Sequence, residues 1–417
     1  MSTPSPPLAE IDDLSLDLVQ RQTFGFFWEG AHPISGLARD RQKTTGDPDN
    51  DLIAIGGSGF GVMAIIVAVE RGWVSRADAV NRLGTMLSCL ERTPRYHGMF
   101  PHFINGRTGE TIRFSRRDDG GDVVESALLF QGLLCARQYF DKNIASERDL
   151  RTRMNHLWLE AEWNWYRRDG GNQLYWHWSP NHGWAMNSRI CGWNEGLLAY
   201  VLAAGAPDYG IDADVYHDGF ASGPAFRNGR SYHGIELPLG MNYGGPLFIA
   251  HYAFCGLDPR GLTDRHAEYW QQNVSHTRIN YEHCVRNPHG HTGYGPDCWG
   301  LTSSHGPKGY VAHAPDKDIG VITPSAALSS FPYAPNEAMR ALRYFLAKRH
   351  RIWGRFGFVD AFSESRNWYA RTYLAINQGP IVIMIENFRS GLLWSLFMSA
   401  PEVRAGLSKL GFTSPHL

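Results

Sequence analysis

The sequence predicts an all-α fold, a toroid of helix pairs of the (α/α)6 barrel type with long loops and a minor β-hairpin. Three observations carry this. About a dozen segments place apolar residues at helical spacing, and only one stretch alternates as a hairpin does. No Pro- or Ser-rich linker and no break in composition follows residue 8 of the 417, so a single domain over residues 11–417 is expected behind a disordered N-terminus, residues 1–10.

In order, the helical patterns run over 12–29, 58–72, 75–92, 122–141, 146–166, 194–205, 246–255, 263–283, 323–331, 335–350, 379–399 and 401–411. Ser75 with Asp78 and Ser146 with Asp149 fit an N-cap followed by an acid at N3, and Pro324 and Pro335 suit first-turn positions. HGMFPHFINGRTGETIRF, His97 to Phe114, is the hairpin. Long loops rich in Gly, Trp, His and Asn cover 172–193, 220–246 and 286–322. A toroid gathers such loops at one end, where they line a cleft.

Forty basic residues balance forty-one acidic ones and no Lys/Arg run occurs, which argues against nucleic acid or a membrane surface as partner. No segment reaches the ~18 apolar residues of a membrane helix. Six cysteines are scattered without a C-x-x-C pair and read as buried thiols. MSTPSPPLAEIDDLS has neither the basic nor the apolar region of a signal peptide, so a cytoplasmic location is expected as the chain is written, or a periplasmic one had a leader been removed. Aromatic residues reach 13%, with 14 Trp, 18 Tyr and 21 Phe, an excess that serves a core first and sugar rings second.

The segment RRDDGGDVVESALLFQGLL, Arg116 to Leu134, crowds acids around Gly120-Gly121 before an apolar run. Asp122 with Glu125 has the spacing of a capping box; the same acids could equally face a cleft. Glu195 in CGWNEGLLAYVLAAG stands at the mouth of an apolar helix, as a complement to the helix dipole or as a reacting acid. Asp360 in FGFVDAFSES lies among Phe and Val, where burial raises a carboxyl pKa unless a partner such as Arg355 or Arg366 neutralises it. Glycoside hydrolysis needs an acid for the leaving oxygen and a base for water, across a cleft lined with aromatic faces. YWHWSPNHGW (175–184), GYGPDCWGLTSS (293–304) and NWYART (367–372) supply such faces.

Other chemistries fit less well. GGSGFG, Gly56 to Gly61, lacks the strand of a dinucleotide fingerprint and the Lys of a P-loop, and reads as the start of a tightly packed helix. His283, His289 and His291 match no zinc motif, and no G-x-S-x-G elbow is present. No metal or cofactor is expected.

Nine stretches run in order along nearly the whole chain: GLARDR (36–41), IGGSGFGVMAIIVAVERGW (55–73), GGDVVESALLFQGLLCARQYF (120–140), LYWHWSPNHGW (174–184), GWNEGLLAYVLAA (192–204), GGPLFIAHYAFCGLDPRG (244–261), YGPDCWGLTSSHGPKGY (294–310), WGRFGFVDAF (353–362) and QGPIVIMIENFRSGLLW (378–394). Together they resemble glycoside hydrolase family 144, the bacterial β-1,2-glucanases of the glucoamylase-like superfamily. The resemblance implies an (α/α)6 barrel, no cofactor, and inverting hydrolysis of β-1,2-glucan or its oligosaccharides, either endo-acting or releasing sophorose. It points to Asp118, Asp122, Glu195 and Asp360 as the acids of the cleft, with Glu125 as the capping member; Glu195 is read here as general acid and Asp360 as general base, with Asp118 and Asp122 orienting hydroxyls or water. Trp193, Trp178, Trp184, Trp299 and Tyr369 are candidates for stacking, and Arg39 and Arg189 for hydroxyl donors. The expected partner is a β-1,2-linked glucan and the expected state a monomer. A catalytically impaired carbohydrate-binding protein and a polysaccharide lyase on an (α/α) toroid are the alternatives; a lyase on uronates would want a basic cleft, which the balanced charge does not supply. One departure is visible. The family pattern reads Ile-Asp-Gln-Gly-Pro where this chain has Ile376-Asn377-Gln378-Gly379-Pro380, and Asn377 is read as a helix cap, where Asn serves as well as Asp.

Overall fold

The computed structural model describes residues 10–223 and 225–417. The expected disordered terminus lies outside the described residues up to residue 9, and Glu10 already opens the first helix. The α-helices among the described residues are α1 (Glu10–Trp28), α2 (Ile55–Glu70), α3 (Arg76–Leu90), α4 (Val123–Tyr139), α5 (Ala145–Leu159), α6 (Leu197–Gly205), α7 (Tyr269–Arg286), α8 (Pro324–Leu328), α9 (Pro335–Ala347), α10 (Arg349–Ile352), α11 (Ala375–Arg389), α12 (Leu392–Met398) and α13 (Pro401–Lys409).

Burial sorts them into two kinds. Every residue of α2 from Ile55 to Ala68, of α4 from Val123 to Ala136, and of α11 from Asn377 to Asn387 is buried, as are Leu197–Ala204 of α6 and all of α8. Helices apolar all round are interior ones. By contrast α3 and α9 bury one stripe each, Leu83, Leu87 and Leu90 in α3 and Ala338, Leu342 and Phe345 in α9. The interior helices touch in the order α8, α11, α2, α4, α6. The run Leu247–Cys255 closes the ring: Phe254 packs on Trp193 at 6.2 Å beside α6, and Tyr333 just after α8 donates to the Ala250 carbonyl at 3.1 Å. Six interior segments alternate with amphipathic outer helices, the (α/α)6 arrangement.

Several helical expectations change. Ser75 caps α3 as read from sequence, but Ser146 does not cap α5: Ile144 holds that position and Ser146 lies in the first turn. The predicted helix 246–255 is a pair of 3-10 turns, Leu247–Ala250 and Ala253–Cys255, each ended by a residue whose φ leaves the helical range, His251 at −115° and Gly256 at −112°. The predicted helix 379–399 begins earlier, at Ala375, with Pro380 inside it, and breaks after Arg389. There Gly391 takes φ +72°, a value glycine adopts without steric cost, and the chain turns by 92° into α12. Among the described residues no single helix is long and apolar enough to cross a membrane.

Strands are more numerous than the one hairpin predicted. That hairpin exists, Phe103–Asn105 against Thr111–Ile112, and Leu52–Ala54 adds a third strand. The other sheets are two-stranded and tie loops together, for example Gly121–Asp122 with His177–Trp178, Arg41–Lys43 with Thr372–Leu374, and Ser303–Gly306 with Gly309–Ala312. All six cysteines are free, and all but the half-buried Cys191 are buried.

GGSGFG forms the first turns of α2 and lets α2 and α4 meet backbone to backbone. A Cβ on Gly59 would stand 2.1 Å from the Leu128 carbonyl oxygen, and one on Gly132 would stand 2.2 Å from that of Gly59. Gly59→Ala is expected to cost about 1–3 kcal/mol through overpacking, read as a lower urea midpoint at unchanged m-value.

The starts of the interior helices share one end of the barrel. Glu125 of α4 accepts from the Gly56 amide of α2 at 2.7 Å, Ala375 of α11 packs beside Gly57, and Thr323, just before α8, donates to Ser304 at 2.7 Å. Several partial positive charges of helix N-termini therefore converge there.

Candidate active site

The acids of the opening cluster divide their work. Asp122 caps α4: its Oδ1 accepts from the Val124 and Glu125 amides at 3.0 and 2.9 Å, while Oδ2 takes His102 Nδ1 at 2.9 Å and the Trp176 indole at 3.3 Å. Both oxygens are committed, so Asp122 is an anchor, not the free hydroxyl ligand expected. Glu125 does not reach back to its own N-cap; it crosses to α2 and Gly56, a correction to its capping role. Asp119 holds the neighbouring loop through Ser179 and Asn181. Asp118, 7% exposed, lies 3.3 Å from His177 Nε2 and has its pKa pushed up to about 6 by burial and by the charge of Asp122.

His102 binds this group together. Burial works against its charge, but Glu125, Asp122 and Asp118 outweigh that and raise its pKa to about 9. Burial also lifts Glu125 to about 7 against the pull of His102.

Glu195 stands apart. Asn194 accepts from the Gly196 amide at 2.9 Å and turns the chain just before α6, leaving the Glu195 carboxyl at the barrel end. Burial, then the charges of Glu125 and Asp122, raise its pKa to about 7. Among the described residues only its own backbone amide donates to it. A half-buried carboxyl that is substantially protonated at neutral pH and otherwise uncommitted suits a general acid.

Asp360 is the opposite case. Its side chain is wholly buried, with Oδ2 accepting from the His305 amide at 2.7 Å and His305 Nδ1 at 2.9 Å, and Oδ1 from Asn377 Nδ2 at 2.7 Å. The expected partners Arg355 and Arg366 are not the ones found; a histidine and an amide take their place. His305 is 16% exposed and lines a cavity of about 610 Å³ with Trp353, Trp368, Tyr369, Arg371 and Thr372. Within the pair, His305 is the member that meets this cavity.

Asn377 is no helix cap. Leu374 holds that position, and Asn377 lies in the first turn of α11, donating also to the Ser303 carbonyl at 3.0 Å and accepting from the Tyr252 hydroxyl at 3.3 Å. The position belongs to the Asp360 network. In Asn377→Asp a second carboxyl would face Asp360 across a 2.7 Å hydrogen bond. Two carboxylates so close share a proton, and the pair's upper apparent pKa rises. The acid limb of kcat/KM against pH is expected to move to higher pH by about one unit or more, with the difference fading at alkaline pH; an unmoved limb would separate Asp360 from the titration that controls the rate.

Of the stacking candidates, Trp178, Trp184 and Tyr369 are half-buried. Trp178 meets His97 and Trp165 edge to face, Trp184 stacks on Trp165 at 6.5 Å, and Tyr369 lines the cavity beside His305. Trp193 and Trp299, 2% and 0% exposed, are core residues and cannot stack on a sugar; the Trp299 indole donates to the Glu337 carbonyl. Arg39 is buried and spent on four backbone carbonyls, those of Gly30, Ala31, Pro48 and Asn50, which makes it a brace, not a hydroxyl donor. Arg189 is exposed, with its guanidinium 6.0 Å from the Tyr175 ring. His102, His305, Tyr252 and Tyr310 were not singled out by sequence. Burial pushes both phenols up, and both also feel the charges of Glu195 and Asp360, so both tyrosines lie near the two acids. Tyr310, 52% exposed on the Ser303–Ala312 hairpin, offers an open aromatic face there.

An (α/α)6 barrel with acids and half-buried aromatics at the N-terminal ends of its interior helices defines the class as glucoamylase-like. The profile of the family described as "Putative glucoamylase" matches residues 187–401. The chain belongs to this glucoamylase-like family and, within it, to glycoside hydrolase family 144. It is 42% identical, over 96% of its length, to the exo β-1,2-glucooligosaccharide sophorohydrolase (non-reducing end) of Parabacteroides distasonis, and spans 58% of that protein. Among solved structures, an endo-β-1,2-glucanase from Chitinophaga pinensis in complex with sophorotriose and glucose is 50% identical, with TM-score 0.95 over 99% of this chain and 100% of that one. A Bacteroides uniformis structure described in the same words as the family is 54% identical, again with TM-score 0.95 over 99% and 100%.

Proposed function

We propose that the chain hydrolyses β-1,2-linked glucan or its oligosaccharides with inversion at the anomeric carbon, as a single copy. Glu195 protonates the leaving oxygen, and the Asp360–His305 pair takes the proton from water, directly or through a substrate hydroxyl. The observation that carries this reading is Glu195 itself, held at a pKa of about 7 with no side-chain partner among the described residues. The names of the Parabacteroides and Chitinophaga relatives support the substrate class. The lyase alternative would bind uronates, and the carboxyls of Glu195 and Asp360, whose charges reach both Tyr252 and Tyr310, would repel them; burial also drives those two phenols away from the duty of a base.

Linear β-1,2-, β-1,3- and β-1,4-glucans, each long and as short oligomers, test the substrate: sugar should be released from the first alone. Proton NMR of the earliest product tests the stereochemistry. Inversion of a β-linkage gives α-anomer first; β-anomer would mean retention and would make one carboxylate a nucleophile.

A further inference from the structure

Away from the acids, four histidines and an aspartate gather where α7 ends. His283 lies in the last turn of α7, His289 and His291 follow it in the next loop, and Asp318 follows the 3-10 turn Pro315–Lys317. Ligand atoms of His283, His289 and Asp318 all lie within 4.8 Å of one another. His283 Nε2 and Asp318 Oδ2 are 2.9 Å apart, and their side chains are 4% and 1% exposed. The His291 and His233 rings stand against the same group, at 5.8 Å from His289 and 6.1 Å from His283. The buried Nε2 atoms of His291 and His233 have no hydrogen-bond partner, although His291 Nε2 is 3.6 Å from Asp318 Oδ1.

We propose that His283, His289 and Asp318 form a binding site for a borderline divalent transition-metal cation of the zinc type, with His291 beside it. Two imidazoles and one carboxylate are a donor set that zinc takes, leaving one position for water or a fourth side chain. Hard cations prefer all-oxygen sites. The outer shell is built as well. The Tyr294 hydroxyl and the Gly320 amide both donate to Asp318 Oδ1, at 2.8 and 2.9 Å, which orients the carboxylate and leaves Oδ2 toward His283. The cation would tie the end of α7 to residues 287–320, the segment that carries the Ser303–Ala312 hairpin and His305. None of its ligands belongs to the Glu195 and Asp360 groups, so the site is a brace and stands or falls independently of the proposed hydrolysis.

The test is calorimetric titration of the EDTA-stripped full chain with zinc chloride at pH 7.5, together with thermal melts. Saturable binding of one cation per chain is expected, with a raised Tm that magnesium does not reproduce. At pH 5 binding should be lost, because protonated imidazoles cannot ligate. His289 is exposed, so His289→Ala should fold as the native chain does yet bind zinc at least about tenfold more weakly, while His350→Ala, at another exposed histidine, should leave binding unchanged. Absence of saturable binding to the native chain, or equal binding by His289→Ala, would overturn the site.

Discussion

Glu195→Gln is expected to lower turnover on β-1,2-glucooligosaccharides by about 10²–10⁴-fold, the usual cost of removing a general acid. Gln keeps the size of the side chain but has no acidic proton to give. The loss should shrink on an aryl glycoside whose phenolate leaves without protonation. The alkaline limb of the native pH profile, expected near the raised pKa of about 7, should disappear in the variant. Stability should move the other way. Glu195 has a folded-state pKa raised above its ordinary 4.5 to about 7, so whatever it contributes to folding is present below about pH 4.5 and is lost as pH rises through 7. The Tm of Glu195→Gln relative to the native chain should therefore climb between those limits. A variant of native activity would remove Glu195 from the acid role, and a collapsed Tm would point to structure instead.

The elements that sequence predicted well are those with a long local signal. The α2 and α4 segments are apolar runs too long for a strand, α9 carries a single stripe at helical spacing, and run length and spacing are both local properties. The short loop-to-loop strands did not read, because a two-residue strand such as Gly121–Asp122 has no period and its partner His177–Trp178 is more than fifty residues away. The site divides along the same line. Asp122 as N-cap and Glu195 at a helix mouth follow from local sequence. That Glu125 serves the start of α2, and that His305, Asp360 and Asn377 meet, depends on contacts across 69, 55 and 17 residues. Tryptophan shows the limit from the other side: Trp193 and Trp299 carry the same letter as Trp178 and Trp184, and only the packing of the interior ring decides which of them reach the barrel end.

Asp360→Asn should also reduce turnover by about 10²–10⁴-fold, and the route by which Asp360 acts fixes what must accompany that loss. Its carboxylate is buried under His305 and Asn377, whereas His305 borders the cavity beside Tyr369. If Asp360 orients and charge-balances His305, and the imidazole takes the proton, then His305→Gln should lose activity to a similar extent, because neutral Gln fills the space without a basic nitrogen. The double variant should then be little worse than either single one, since residues acting as a unit are non-additive. If instead the carboxylate meets the water itself after substrate moves the hairpin, His305→Gln should cost less than about tenfold, under 1.4 kcal/mol. Folding must be followed alongside. Asn at 360 can still accept from the His305 amide, but its NH2 would then face that of Asn377. The Asn377 amide must flip to accept, giving up its bond to the Ser303 carbonyl at 3.0 Å, so a small fall in Tm belongs to the expected result. Single-turnover rates of Asp360→Asn, His305→Gln and the double variant, with melts at the same pH, separate the two routes. Near-native turnover in Asp360→Asn would remove this residue from the chemistry and leave the base to be sought among the other groups around the cavity.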